Sequence, residues 1–180
     1  MKIKIFILPL LALFILTSVL SAQQTKNNPN WDSWNFLLGE WIGEGGGDPG
    51  KGVGGFSFYL DLQKTILIRK NYAQYPATTD RPAFRHDDLM VIYKNKDNST
   101  RATYWDNEGH VINYSTETNS VIFLSDLSPA SPRFRLTYTK RGKDTLNILF
   151  EIAPHGKPDA FSKYIEATAH RKWYLINKSL

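Results

Sequence analysis

The stretch LLGEWIGEGGG, residues 37–47, sets a single indole among acidic residues and then runs into glycine. Successive side chains of a strand point to opposite faces, so Trp41 shares a face with Gly39, Gly43 and Gly45 while Glu40, Ile42 and Glu44 take the other. One large ring flanked by glycines suits the first strand of a tightly curved sheet. The glycines leave room for the ring to lie flat, and they let the strand bend enough to help close a cylinder. Residues 43–55, GEGGGDPGKGVGG, do not make a phosphate loop: the Walker spacing is missing, and no helix opening on Lys-Ser/Thr follows.

Outward from this stretch one pattern recurs. Runs of alternating or β-branched residues occupy 40–45, 55–62, 65–75, 88–94, 101–105, 110–116, 120–126, 133–140, 145–152 and 164–173. Between them stand KNKDNS, DNEG, ETNS, SPASP, KRGKD and PHGKPD, all turn chemistry. Sequential strands joined by short turns make antiparallel meanders. About ten of them in one domain predict a closed up-and-down β-barrel, the arrangement that leaves no edge exposed. In NPNWDSWNFLLG, Trp31, Trp34, Leu37 and Leu38 recur at spacings of three and four behind Asn30, which predicts a short helix plugging one barrel end. The run 164–173 also suits a helix. It is read as a strand because the first strand of a barrel needs a closing partner. There is no internal repeat.

Residues 1–22 read as a secretory signal: Lys2 and Lys4, an apolar run, then small residues ending at Ala22, with Val19-x-Ser21 a competing cleavage motif. The expected domain is 23–180, secreted or periplasmic, with no stable membrane insertion after cleavage. Of the 22 Lys+Arg, two leave with the signal; the remaining 20 face 17 Asp+Glu, a net charge of +3. The basic residues alternate with acidic ones, so no nucleic-acid surface is expected. Cysteine is absent, which removes disulfides, thiolate metal sites and a cysteine nucleophile together. The fold must rest on its core, for which 42% apolar and 13% aromatic residues are enough material. Oligomeric state is left open.

The GEW of residues 39–41 together with HRK at 170–172 resembles the calycin arrangement of lipocalins and fatty-acid-binding proteins, in which a Gly-x-Trp is covered by a basic residue of the closing strand. FLLGEWIGEGGG and YIEATAHRK are similar to the two ends of nitrobindin-like haem-binding barrels and their lipocalin-like relatives. Arg171 shares its parity with Ile165, Ala167 and Ala169, an apolar and small face on which a guanidinium needs a partner, and Trp41 is that partner in this reading. The nitrobindin resemblance implies a haem-ligating histidine in the closing strand. Here that position falls on Tyr164, and His170 would replace it only after a register shift by whole residue pairs. Haem is therefore a conditional cofactor, tied to Tyr164 and His170.

The four histidines, His86, His110, His155 and His170, show no metal-ligand spacing. Polar residues cluster in FRHDDL, YWDNEGHVINY and PRFRLTY. Leu67, Arg69, Asn71 and Ala73 travel on one face; Arg133, Arg135, Thr137 and Thr139 travel on another, although alternation does not say which faces lie inside. A largely apolar barrel cavity with a few convergent polar groups would bind a small apolar or acidic ligand, with Arg69, His86, His110 and Arg135 as its polar contacts. Acid–base chemistry by His86 or His110, oriented by Asp87 or Asp106, is the enzymatic alternative, next to the haem chemistry that the resemblance implies. A ligand-free structural envelope protein is the third. No catalytic residue is assigned.

Overall fold

The computed structural model describes residues 29–44, 52–117 and 121–173. The expected signal, Gly45 of the glycine run and residue 120 of the seventh run lie outside the described residues. A 3-10 helix, η1 (Asp32–Leu37), precedes ten strands: β1 (Gly39–Gly43), β2 (Val53–Asp61), β3 (Ile66–Tyr75), β4 (Phe84–Lys94), β5 (Thr100–Asp106), β6 (Val111–Thr116), β7 (Ile122–Ser125), β8 (Arg133–Lys140), β9 (Thr145–Ala153) and β10 (Ser162–Arg171). Each strand pairs antiparallel with its neighbours in sequence, and β1 pairs with β10, so the sheet closes into an up-and-down barrel. The ambiguous C-terminal run is thus a strand. β4 begins at Phe84, four residues before the run read from periodicity, because FRHDD alternates across the wall, with His86 and Asp88 facing inward and Arg85 and Asp87 outward.

Closure is local chemistry. Trp41 and Arg171 are cross-strand partners, and the Arg171 guanidinium lies 4.3 Å from the centre of the buried indole. Arg171 also donates to the carbonyls of Leu38 and, at 3.1 Å, Phe36, while Trp41 Nε1 donates to Leu37 O at 2.8 Å. These bonds satisfy carbonyls at the end of η1 that have no partner within the helix and tie it to the closing strand. Gly39 is required at this corner: its φ is +113°, and a Cβ there would stand 2.8 Å from Arg171 Nη1. At Gly55 a Cβ would meet Trp41 O at 2.6 Å, so β2 can approach β1 here only without a side chain.

The interior divides along the barrel axis. Toward the end closed by η1, the inward-facing Trp41, Phe58, Leu67, Met90, Ile92, Ala102, Phe123 and Leu146 are fully buried, with Trp34 of the plug edge-on to Phe123 at 5.6 Å. Trp31 Nε1 pins the plug to the β2–β3 turn through Lys64 O at 3.0 Å. Toward the opposite end, the inward-facing Ala73, Tyr104, Ile112, Phe134, Phe150 and Ile165 are only half-buried. One half is a packed core; the other, termed the cup, is the less buried end, its mouth between the β3–β4, β5–β6, β7–β8 and β9–β10 turns.

Candidate functional site

At the seam between core and cup, the register of three adjacent strands assembles a polar cluster. β3 sets Asn71 opposite Asp88, and β4 sets Asp88 opposite Asp106 of β5, all facing inward. Two carboxylates in that relation repel unless cations and donors stand between them. Arg69 Nη1 meets Asp88 Oδ1 at 2.5 Å, and Asn71 Nδ2 donates to Asp88 Oδ2 at 2.7 Å. His86 Nε2 lies 3.4 Å from Asp88 Oδ2 and 3.1 Å from Tyr104 Oη. The Tyr104 hydroxyl donates to Asp106 Oδ2 at 3.1 Å, and His110 Nδ1 donates to the same oxygen at 2.9 Å. A continuous chain therefore runs from buried Arg69 through Asp88, His86, Tyr104 and Asp106 to His110 at the mouth.

The β5–β6 turn is held rigidly beneath this chain. Asp106 Oδ1 accepts from the backbone N–H of Glu108 at 3.0 Å and of His110 at 2.9 Å, as the DNEG turn chemistry requires. Asn107 rivets the turn to β4: its Oδ1 accepts from Asp87 N, and its Nδ2 donates to Arg85 O, both at 3.0 Å. The turn holds Glu108 over His86, whose Nδ1 lies 2.8 Å from Glu108 Oε1.

These contacts determine the charge states. The hydrogen bond to Asp88, opposed by partial burial and reinforced by Glu108, raises His86 from 6.5 to about 9, so its ring is an imidazolium at neutral pH that donates from both nitrogens. Burial works against the Asp88 carboxylate, but Arg69, His86 and Asn71 together hold it below the usual carboxylate range. Asp106 is likewise held low, burial being outweighed by the His110 N–H and the other donors around it. Burial penalises the Arg69 guanidinium, and Asp88 together with Tyr138 and Tyr104 outweighs that penalty, keeping it charged. Burial pushes Tyr104 and Tyr114 upward and Tyr138 up to about 12, so all three phenols are neutral. Arg69 Nε and Tyr138 Oη are buried without a well-formed hydrogen bond, although the two groups are near enough to perturb each other's titration.

Arg69, His86 and His110 come together in this one network. Arg135 does not join them: it faces outward, in bidentate contact with Glu151 at 2.6 and 2.8 Å and 4.1 Å from the centre of the Phe161 ring. Asp87 does not orient His86 either; it faces outward and binds Arg85 at 2.7 Å. Tyr164 sits in the β-bulge of β10, exposed at the rim and edge-on to Phe150 at 6.0 Å. His170 lies on the outer face, bonded to Glu44 at 2.5 Å and Thr145 at 3.3 Å. No group of three or more potential metal ligands is arranged around a common point among the described residues.

Sequence reasoning singled out FRHDDL and YWDNEGHVINY as separate clusters but assigned no role to Asn71, Asp88, Tyr104 or Glu108. Pairing the two segments as one hairpin, with DNEG as the next turn, would have set Asp88 opposite Asp106. A shallow groove of about 560 Å³ lies at the rim beside Val53, Tyr75, Pro76 and Phe84. Its cations are engaged, Arg85 by Asp87 and Arg81 over the stacked rings of Tyr75 and Phe84, 4.2 Å from the centre of the latter.

No protein-family model matches the chain, and no curated protein matches it.

Proposed function

We propose that this barrel binds a small amphipathic molecule in its cup, the apolar body against Ile112, Phe134, Phe150 and Ile165 and the polar end at His86, Tyr104 and His110. The observation that carries this reading is the asymmetric filling of the interior. A barrel needed only as a rigid body would be packed throughout, whereas here half-buried apolar walls face one convergent polar cluster. Arg69 serves by fixing Asp88, and hence His86, and not as a free head-group anchor. Arg135, on the outer wall, has no part in the site. The basic and apolar N-terminal segment supports a secreted or periplasmic location for this binder.

The calycin likeness rests on the closed barrel and on Arg171 over Trp41. The haem-enzyme alternative draws no support from the positions of Tyr164 and His170. Thermal unfolding measured against a panel of fatty acids, fatty alcohols, bile-type acids and hemin tests the proposal. It predicts a raised midpoint with one or more amphipaths, lost in Phe150→Asp, and no Soret band with hemin. A flat response to the whole panel overturns it in favour of a ligand-free structural barrel.

A further inference from the structure

Both carboxylates of the cup cluster are saturated. Asp106 accepts four hydrogen bonds, from Glu108 N, His110 N, His110 Nδ1 and the Tyr104 hydroxyl. Asp88 is engaged by Arg69, Asn71 and His86. Neither carboxylate has spare capacity for a cationic ligand. On the inner side of His86, Nε2 is committed to Tyr104 and Asp88. On the other side Nδ1 meets only the Glu108 carboxylate, which is half exposed, sits in the β5–β6 turn and has no other hydrogen bond or ion pair among the described residues. Every other link of the chain is made between groups on strand backbones or is buried at one end. The His86–Glu108 pair is the one that can exchange partners at little cost, since an ion pair reached by water contributes only about 0–1 kcal/mol.

Resting on the binding role given above, we infer that the ligand is a carboxylate and that Glu108 is its built-in competitor, occupying His86 Nδ1 until the ligand's own carboxylate takes that place. The imidazolium keeps its proton and its charge partner throughout. The turn keeps its shape, because Asp106 and Asn107, not the Glu108 side chain, hold it. The apolar wall across the cup then takes the alkyl or aryl body of the same molecule. Glu108 would thus lower affinity without altering the shape of the site, and would reject anions that lack a body to bury.

Binding of dodecanoate and of dodecanol to the full chain, followed by calorimetric titration at pH 7, separates the outcomes. Expected are tighter dodecanoate binding in Glu108→Gln by about fivefold, the equivalent of roughly 1 kcal/mol, with dodecanol unchanged. In His86→Gln the preference for acid over alcohol should vanish. Dodecanol binding with no effect of Glu108→Gln on dodecanoate, or a loss of dodecanoate binding in that variant, overturns the exchange and leaves the cup as a binding site. Failure of both probes to bind overturns the cup as an amphipath site and the exchange with it. Nitrogen NMR of His86 adds a second readout: saturating dodecanoate should shift Nδ1 in the wild type to the same position that it reaches in Glu108→Gln with dodecanoate bound.

Discussion

The plugged half and the cup are built from the same ten strands, yet the inward side chains of one are fully buried and those of the other only partly. In the plugged half the inward positions carry Leu67, Ile92, Phe123 and Leu146, and η1 adds Trp34 and Leu37, so apolar surface meets apolar surface. In the cup Asn71, His86, Tyr104 and Asp106 claim inward positions on adjacent strands, and no second helix among the described residues covers them. Stability is thereby concentrated at one end of the cylinder, and the other end can carry polar groups whose full desolvation would be costly. Arg69 and Asp88 mark the boundary, a buried ion pair with apolar packing on one side and exchangeable polar contacts on the other.

Four measurements break or sharpen this contrast, the first with the largest expected effect. Trp41→Ala, which empties the core and strips Arg171 of its ring, should cost ~4–5 kcal/mol in urea unfolding. Asp88→Ala leaves Arg69 charged and buried without a partner and should cost ~3–4 kcal/mol, most of it recovered when Arg69→Met is added, because removing both charges also removes the penalty. Phe150→Ala, in the half-buried wall, should cost only ~1–2 kcal/mol, since water already reaches the site and less apolar area is lost. A cost equal to that of Trp41→Ala would show that the two halves are packed alike.

The smallest effect is a pH dependence. His86 binds its proton more tightly in the folded chain, with a pKa of about 9 against 6.5. Its stabilisation is therefore complete below pH 6.5 and is lost as the pH rises through 9. Because the ring is partly exposed, solvent screening limits the loss to less than ~1 kcal/mol. Thermal midpoints should fall across this window in the wild type and stay flatter in His86→Gln; equal slopes would place the charge partners of His86 outside the folded site.

The barrel was legible because its strands alternate cleanly and its turns are punctuated by Gly, Pro, Asn and Asp. β8 was read with its observed limits for this reason. β4 is not: its alternating run starts only at Asp88, and the paired register is what extends the strand back to Phe84 and shows that His86 and Asp88 face in while Arg85 and Asp87 face out. Arg69 and Arg135 read alike on paper, each a cation on an alternating strand, and they ended on opposite sides of the wall. Glu108 carried no signal at all, since its contact with His86 spans 22 residues and depends on how Asn107 clamps the turn.

From its residues alone this chain determined that it forms an antiparallel cylinder without disulfides, that Trp41 needs glycine around it, and which side chains travel together along each strand. The tertiary structure decided which of those faces is interior, where the packed core stops, and that FRHDDL and YWDNEGH form one site. A period of two is unchanged when the faces are exchanged, so alternation groups residues without orienting them. Orientation comes from register between strands far apart in sequence, set by closure of the whole barrel.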